Sequence, residues 1–158
     1  MRFLEQLLYW VHGLSAAAWF GGIFYRTIVI DPKAFRYFRD RAEYERFSTH
    51  LAQGMRYFVI AGLLTCGLSG FAILGLRWEM SRDDLLGVMG AKVAVWLLAC
   101  GLFAYVSWVH WPWRAFATSA EFRGYRRQGI VLAAGMVLLA GTGFALGQAC
   151  RLAARSGM

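Results

Sequence analysis

Two ionisable side chains in this 158-residue chain stand where almost everything around them is apolar. The first is His12, inside Leu-Leu-Tyr-Trp-Val-His-Gly-Leu-Ser-Ala-Ala-Ala-Trp-Phe-Gly-Gly-Ile-Phe-Tyr, residues Leu7 to Tyr25. A titratable group inside such a run is costly in hydrocarbon, so it is expected to face the protein interior and to mark a site. Gly13, Ala16, Ala17, Gly21 and Gly22 leave the backbone open to close approach by another helix or a flat cofactor. The second is Lys92. It lies eight residues beyond Asp84, which is roughly 12 Å along a helix at 1.5 Å per residue. A lysine near the centre of a span costs about 2.5–3.5 kcal/mol on insertion scales, less if its stem snorkels outward. His12 lies roughly 9 Å beyond Gln6 by the same arithmetic. If both helices enter from one side, imidazole and ammonium sit at a common depth near the outer face. One shared site is then more economical than two separate defects. The plainer alternatives are that Lys92 snorkels to the head groups, and that His12 bonds a nearby backbone group or a hydroxyl such as Ser69 or Thr142.

A neutral imidazole suits haem iron, copper or zinc. One histidine on a small-residue helix of a four-helix bundle is a familiar way to hold a haem. An ammonium beside it can pair a propionate or another anion, or deliver a proton. His50 and His110 form a second, weaker pair at the opposite ends of their helices. They are a candidate second metal site, set against the ordinary reading of solvated interfacial histidines. Met55, Met80, Met89 and Met136 are scattered and make no methionine ladder for copper. Cys66, Cys100 and Cys150 form no CxxC and read as small buried apolar side chains.

The elements that must position these groups are membrane spans. The chain is 59% hydrophobic and 16% charged, with mean hydropathy +0.45, too apolar for an ordinary soluble domain. Gln6–Tyr25, Tyr57–Leu76, Val93–Trp113 and Gln128–Cys150 carry no Asp, Glu, Lys or Arg over about the ~20 residues a bilayer requires. The expected fold is an all-α integral membrane four-helix bundle, one domain over 1–158, with spans at about 5–30, 54–76, 85–111 and 127–150. An amphipathic helical extension, Lys33 to Arg56, precedes the second span, with Phe35, Phe38, Tyr44, Phe47 and Leu51 near helical spacing. Asp31-Pro32 reads as a helix N-cap followed by proline, so a new helix is expected there. Ser81-Arg82-Asp83-Asp84 and Thr118 with Glu121 read as capping boxes ahead of the third and fourth spans. The first span carries bulky Trp19, Phe20, Phe24 and Tyr25 where a signal peptase would need small residues, so it is expected to be retained. No repeat of 20–50 residues is evident.

The net charge of +8 sits in the loops, which points to membrane topology and anionic lipid rather than nucleic acid. Arg26 to Arg56 holds seven basic residues and Arg114 to Arg127 four, against five at the other ends. The balance places both termini outside, in a periplasm if the membrane is a bacterial inner membrane.

His12, Trp19, Gly22 and Tyr25, in the frame His-x6-Trp-x2-Gly-x2-Tyr, together with a lysine early in the third span, resemble the HemJ-type protoporphyrinogen oxidases. The same frame is similar to the wider group of small CopD-related membrane proteins. The resemblance covers mainly the first and third spans. It implies a bound haem b with His12 as ligand to its iron, Lys92 as functional partner, and Trp19, Gly22 and Tyr25 around the cofactor. It further implies oxidation of a porphyrin, protoporphyrinogen IX, with electrons passed to a quinone. Copper transport or delivery is the alternative from the CopD side. A third reading is an accessory subunit of a respiratory membrane complex, docked through Lys33 to Arg56; a homo-oligomer is also expected.

Overall fold

The computed structural model describes residues 2–76, 83–118 and 120–156. These form α1 (Arg2–Tyr25), a π-helical turn (Arg26–Ile30), α2 (Asp31–Tyr37) and α3 (Arg41–Leu76). There follow α4 (Asp83–Tyr105), a second π-helical turn (Val106–His110), α5 (Trp111–Ala115) and α6 (Phe122–Ser156). Four helical stretches are long and apolar enough to cross a membrane: Phe3–Tyr37, Arg41–Leu76, Gly87–Arg114 and Phe122–Ala149. The expected all-α four-helix bundle is what the chain forms. The helices are longer than the bilayer needs. At 1.5 Å per residue α3 is about 54 Å long, against a hydrocarbon core of about 30 Å. The charged extension expected over Lys33 to Arg56 is not one helix: it is divided between α2, which ends at Tyr37, and the first half of α3, which continues without a break into the second apolar stretch.

Asp31-Pro32 does not start a new helix. Ile30 and Asp31 both keep right-handed helical dihedrals, and the axis runs on to Phe38, where ψ swings to 117°. A proline inside a helix lacks a donor and its ring crowds the carbonyl four residues back. Here the turn ahead of it widens, so that the Asp31 N–H bonds the Arg26 carbonyl. Pro112 is handled in the same way, with the Trp111 N–H on the Val106 carbonyl. That shift strands the Ser107 carbonyl, whose π-type donor would have come from Pro112. Arg56 of α3 donates to it at 3.0 Å, tying α3 to the π-turn. The N-cap that opens α3 is Asp40, whose carboxylate accepts from the Ala42 N–H at 3.1 Å. Asp40 with Glu43 three residues later was a legible capping signal.

Two units follow one another along the chain. Arg26 opens the first π-turn and Val106 the second, 80 positions on, and Pro32 and Pro112 share that spacing. Arg41 opens the first returning helix and Phe122 the second, 81 positions on. Tyr25 and Tyr105 match at the first spacing, and Tyr44 and Tyr125, Gly54-Met55 and Gly135-Met136, and Gly62 and Gly143 at the second. α1 packs on α3 as α4 packs on α6. Gly62 admits Trp19 and the Ser15 backbone, and Gly143 admits Val95, the same pairing in both units. The repeat is longer than the 20–50-residue periods of solenoids and propellers.

The core combines Trp19, Val59, Leu63, Ala99, Met136 and Ala140. Trp19 and Ala99 are equivalent positions, so one indole fills the centre where two could not. A second cluster, Ala34, Tyr44 and Phe122 with Phe38, closes the end that carries the connections. There Arg41 donates to the Thr118 carbonyl at 3.2 Å and lies over the Phe122 ring.

α6 begins with the expected capping box. The Glu121 carboxylate accepts from the Thr118 hydroxyl at 2.7 Å and the Thr118 N–H at 3.0 Å, and these bonds hold its pKa below the ordinary value. A depressed carboxylate stabilises above the pKa it would have unfolded, and that contribution is lost as pH falls through the folded value. Acidification below about pH 4 is expected to reduce the hydrogen-exchange protection factor of the Thr118 amide in the wild type but not in Glu121→Gln. Equal pH profiles for the two proteins would remove the box.

Candidate functional site

His12 points from α1 onto α3. Its Nδ1 stands 2.9 Å from the Cys66 carbonyl and 3.1 Å from Ser69 Oγ. A carbonyl can only accept, so Nδ1 carries the ring proton and the lone pair resides on Nε2. Ser69 Oγ also donates, to the Thr65 carbonyl at 2.6 Å, and can therefore take a share of the same imidazole proton. Ser69 is buried. The plain alternative for the histidine, a backbone group and the Ser69 hydroxyl at its level, is thus present, while Thr142 is exposed. Gly70 permits the approach: a Cβ there would stand 3.1 Å from His12 Cε1.

Lys92 points from α4 toward α6, its Nζ 3.9 Å from where a Cβ on Gly147 would be. His12 and Lys92 are 80 positions apart, and Cys66 and Gly147 are 81 apart. The ammonium therefore meets α6 at the place where the imidazole meets α3. Cys66 belongs to both neighbourhoods. Its carbonyl and its thiol, 3.8 Å from Nδ1, adjoin the imidazole, and the thiol is within electrostatic range of the Lys92 ammonium. Ser15 also bonds the thiol. Nothing in the sequence marks Cys66, Gly70 and Gly147 as neighbours of the two groups. Matching the two proline-bearing units by eye would have paired positions 12 and 92.

The remaining family-frame residues lie away from the imidazole. Trp19 is in the core, two turns further along α1, and its indole Nε1 is buried without an acceptor among the described residues. Gly22 admits Phe58 and Met55 of α3, and Tyr25 is exposed. His50 is exposed, whereas His110 is buried at α6, with Nε2 donating to the Tyr125 carbonyl at 3.3 Å and its ring over Gly129. No group of three or more His, Cys, Asp or Glu side chains is placed to hold a metal ion among the described residues. Met80, Ser81 and Arg82 lie outside them.

The end with the connections carries a different constellation. Arg114 makes a two-pronged ion pair with Glu45, at 2.9 and 3.2 Å, and stacks 4.7 Å from the Trp111 ring centre. Arg26 lies 3.7 Å from Asp31 and 5.5 Å over the same Trp111 ring. Each guanidinium has a carboxylate, so this network ties the elements together. A scan against protein-family models, a search of curated proteins and a search of solved structures each return no match for the chain.

Proposed function

We propose that this is a haem-b-binding membrane redox protein, with His12 as the axial ligand and Lys92 as the partner of a propionate or of a transferred proton. The observation that carries the reading is the bond from His12 Nδ1–H to the Cys66 carbonyl. Metal-ligating histidines nearly always donate their other ring N–H to a carbonyl or carboxylate, which fixes the tautomer and makes the ligating nitrogen more basic. The donor set fits: an imidazole oriented by a carbonyl and a hydroxyl, and an ammonium that adjoins the same cysteine. Bound haem would supply one-electron transfer. His12, steadied by Cys66 and Ser69, would hold it, and Lys92 would balance an acid group or deliver a proton.

The resemblance to HemJ-type proteins extends the proposal to protoporphyrinogen IX as substrate, a quinone as acceptor, and an inner membrane with both termini periplasmic. The copper reading is weaker. The imidazole nitrogen nearest the Cys66 thiol is the one whose proton is committed to the carbonyl.

The test is the optical spectrum of protein purified in detergent. A Soret band that sharpens on reduction is expected, lost in His12→Ala and shifted in Lys92→Met. The exchanged variant H12K/K92H places the same two groups at the equivalent positions and is expected to recover the band in part. A wild-type protein without the band, or an unchanged band in His12→Ala, would end the proposal.

A further inference from the structure

Two tandem units in a ring of four helices should form the same seam twice, α1 against α6 and α4 against α3. They do not. α1 and α6 pack directly, and Gly141 leaves room for the Phe20 ring, 3.9 Å from where a Cβ would stand. The α3 and α4 backbones stand further apart, and Trp96 of α4 reaches across to α3. Its indole lies flat against Gly67, where any Cβ would run into the ring. It donates to the Leu63 carbonyl at 3.1 Å and meets Phe71 edge-on at 5.7 Å. The equivalent position in α1 is Ala16. The broken symmetry thus traces to an indole in one unit and a methyl group in the other.

The propped seam adjoins the site. Lys92 is one turn from Trp96 on α4, and Cys66 is next to Gly67 on α3. On this basis, and resting on the reading of His12 and Lys92 as one site, we infer that the α3/α4 seam is a side entrance from the bilayer. It would admit a membrane-dissolved anionic amphiphile to Lys92, with Trp96 as its sill. The apolar body of the ligand follows from the outer margin of the seam, where Phe71, which meets the Trp96 ring, and Leu97, next to Trp96 on α4, are exposed. Its acid group follows from Lys92, which no carboxylate side chain reaches among the described residues. An ammonium in a span is costly when unpaired, and an incoming anion lowers that cost.

Cys66 reports on the entrance directly. In a Cys100→Ser/Cys150→Ser background, reconstituted into lipid vesicles, a lipid-soluble pyrene maleimide is expected to label Cys66. A membrane-impermeant anionic methanethiosulfonate should leave it unlabelled. Trp96→Ala should speed the maleimide reaction several-fold. Oleate, as the anionic probe, should slow labelling more than oleyl alcohol does, and Lys92→Met should abolish that difference. Equal labelling by the charged reagent would show a pocket open to water and overturn the entrance. So would protection of the folded protein from both reagents when the denatured protein labels fully. Equal effects of oleate and oleyl alcohol would overturn the anionic ligand. None of these readouts depends on a Soret band, so loss of the haem proposal and loss of the entrance are told apart.

Discussion

Arg114→Met is expected to lower stability more than any other single change at the charged end of the bundle. The Arg114 side chain is 7% exposed and that of Glu45 22%. Removing one member of a buried pair leaves the other charge uncompensated, which typically costs about 3–5 kcal/mol. The partial exposure of Glu45 puts this case near the lower bound. The same guanidinium also lies near Trp111, Tyr44 and Phe122, so three helices lose a common contact. At about 2–4 °C per kcal/mol for a chain of this size, the midpoint should fall by roughly 6–12 °C. Arg114→Lys should lie in between, because a lysine keeps the charge but not the planar fork that grips both carboxylate oxygens. The double variant Arg114→Met/Glu45→Leu should recover much of the loss, since no unpaired charge remains. Thermal unfolding in detergent followed by circular dichroism measures all three. If Arg114→Met behaves like Arg123→Met at an exposed site, the pair contributes little.

The second large effect is at Gly67. A Cβ there would collide with the Trp96 ring, which is itself fixed by its bond to Leu63 and its edge contact with Phe71. Overpacking of this kind costs about 1–3 kcal/mol and occasionally more, and here the obstructing atoms are an anchored ring rather than a flexible chain end. Gly67→Ala is therefore expected to destabilise, against the usual helix preference for alanine. Trp96→Ala alone should destabilise too, through lost packing. Combined, they should cost clearly less than their sum, because the second removes what the first strikes. Additive losses in the thermal midpoint would mean that the indole does not rest on Gly67. Gly75, where nothing stands within 4 Å of an added Cβ, is the control and should accept alanine.

The four apolar helices follow from composition alone, and the common depth of His12 and Lys92 is expected from arithmetic along the helix. Runs of about 20 residues without charge are long and apolar enough to cross lipid, and 1.5 Å per residue sets how far a residue lies along its helix. Thr118 and Glu121 were readable for a similar reason, since a capping box is a local hydrogen-bonding pattern within four residues. Asp31-Pro32 misled because the same dipeptide that often opens a helix can be carried inside one when a π-turn widens ahead of it, with the Asp31 N–H on the Arg26 carbonyl. Which side of α1 His12 occupies is set by its chain position. That its proton goes to the Cys66 carbonyl is decided by α3, 54 residues away. Likewise, Trp96 is simply an apolar residue until Gly67 is found beneath it. Local patterns decide what a segment becomes because their partners are a few residues off; tertiary packing alone decides which groups meet, because the glycines that let helices approach carry no mark of what will fill the space.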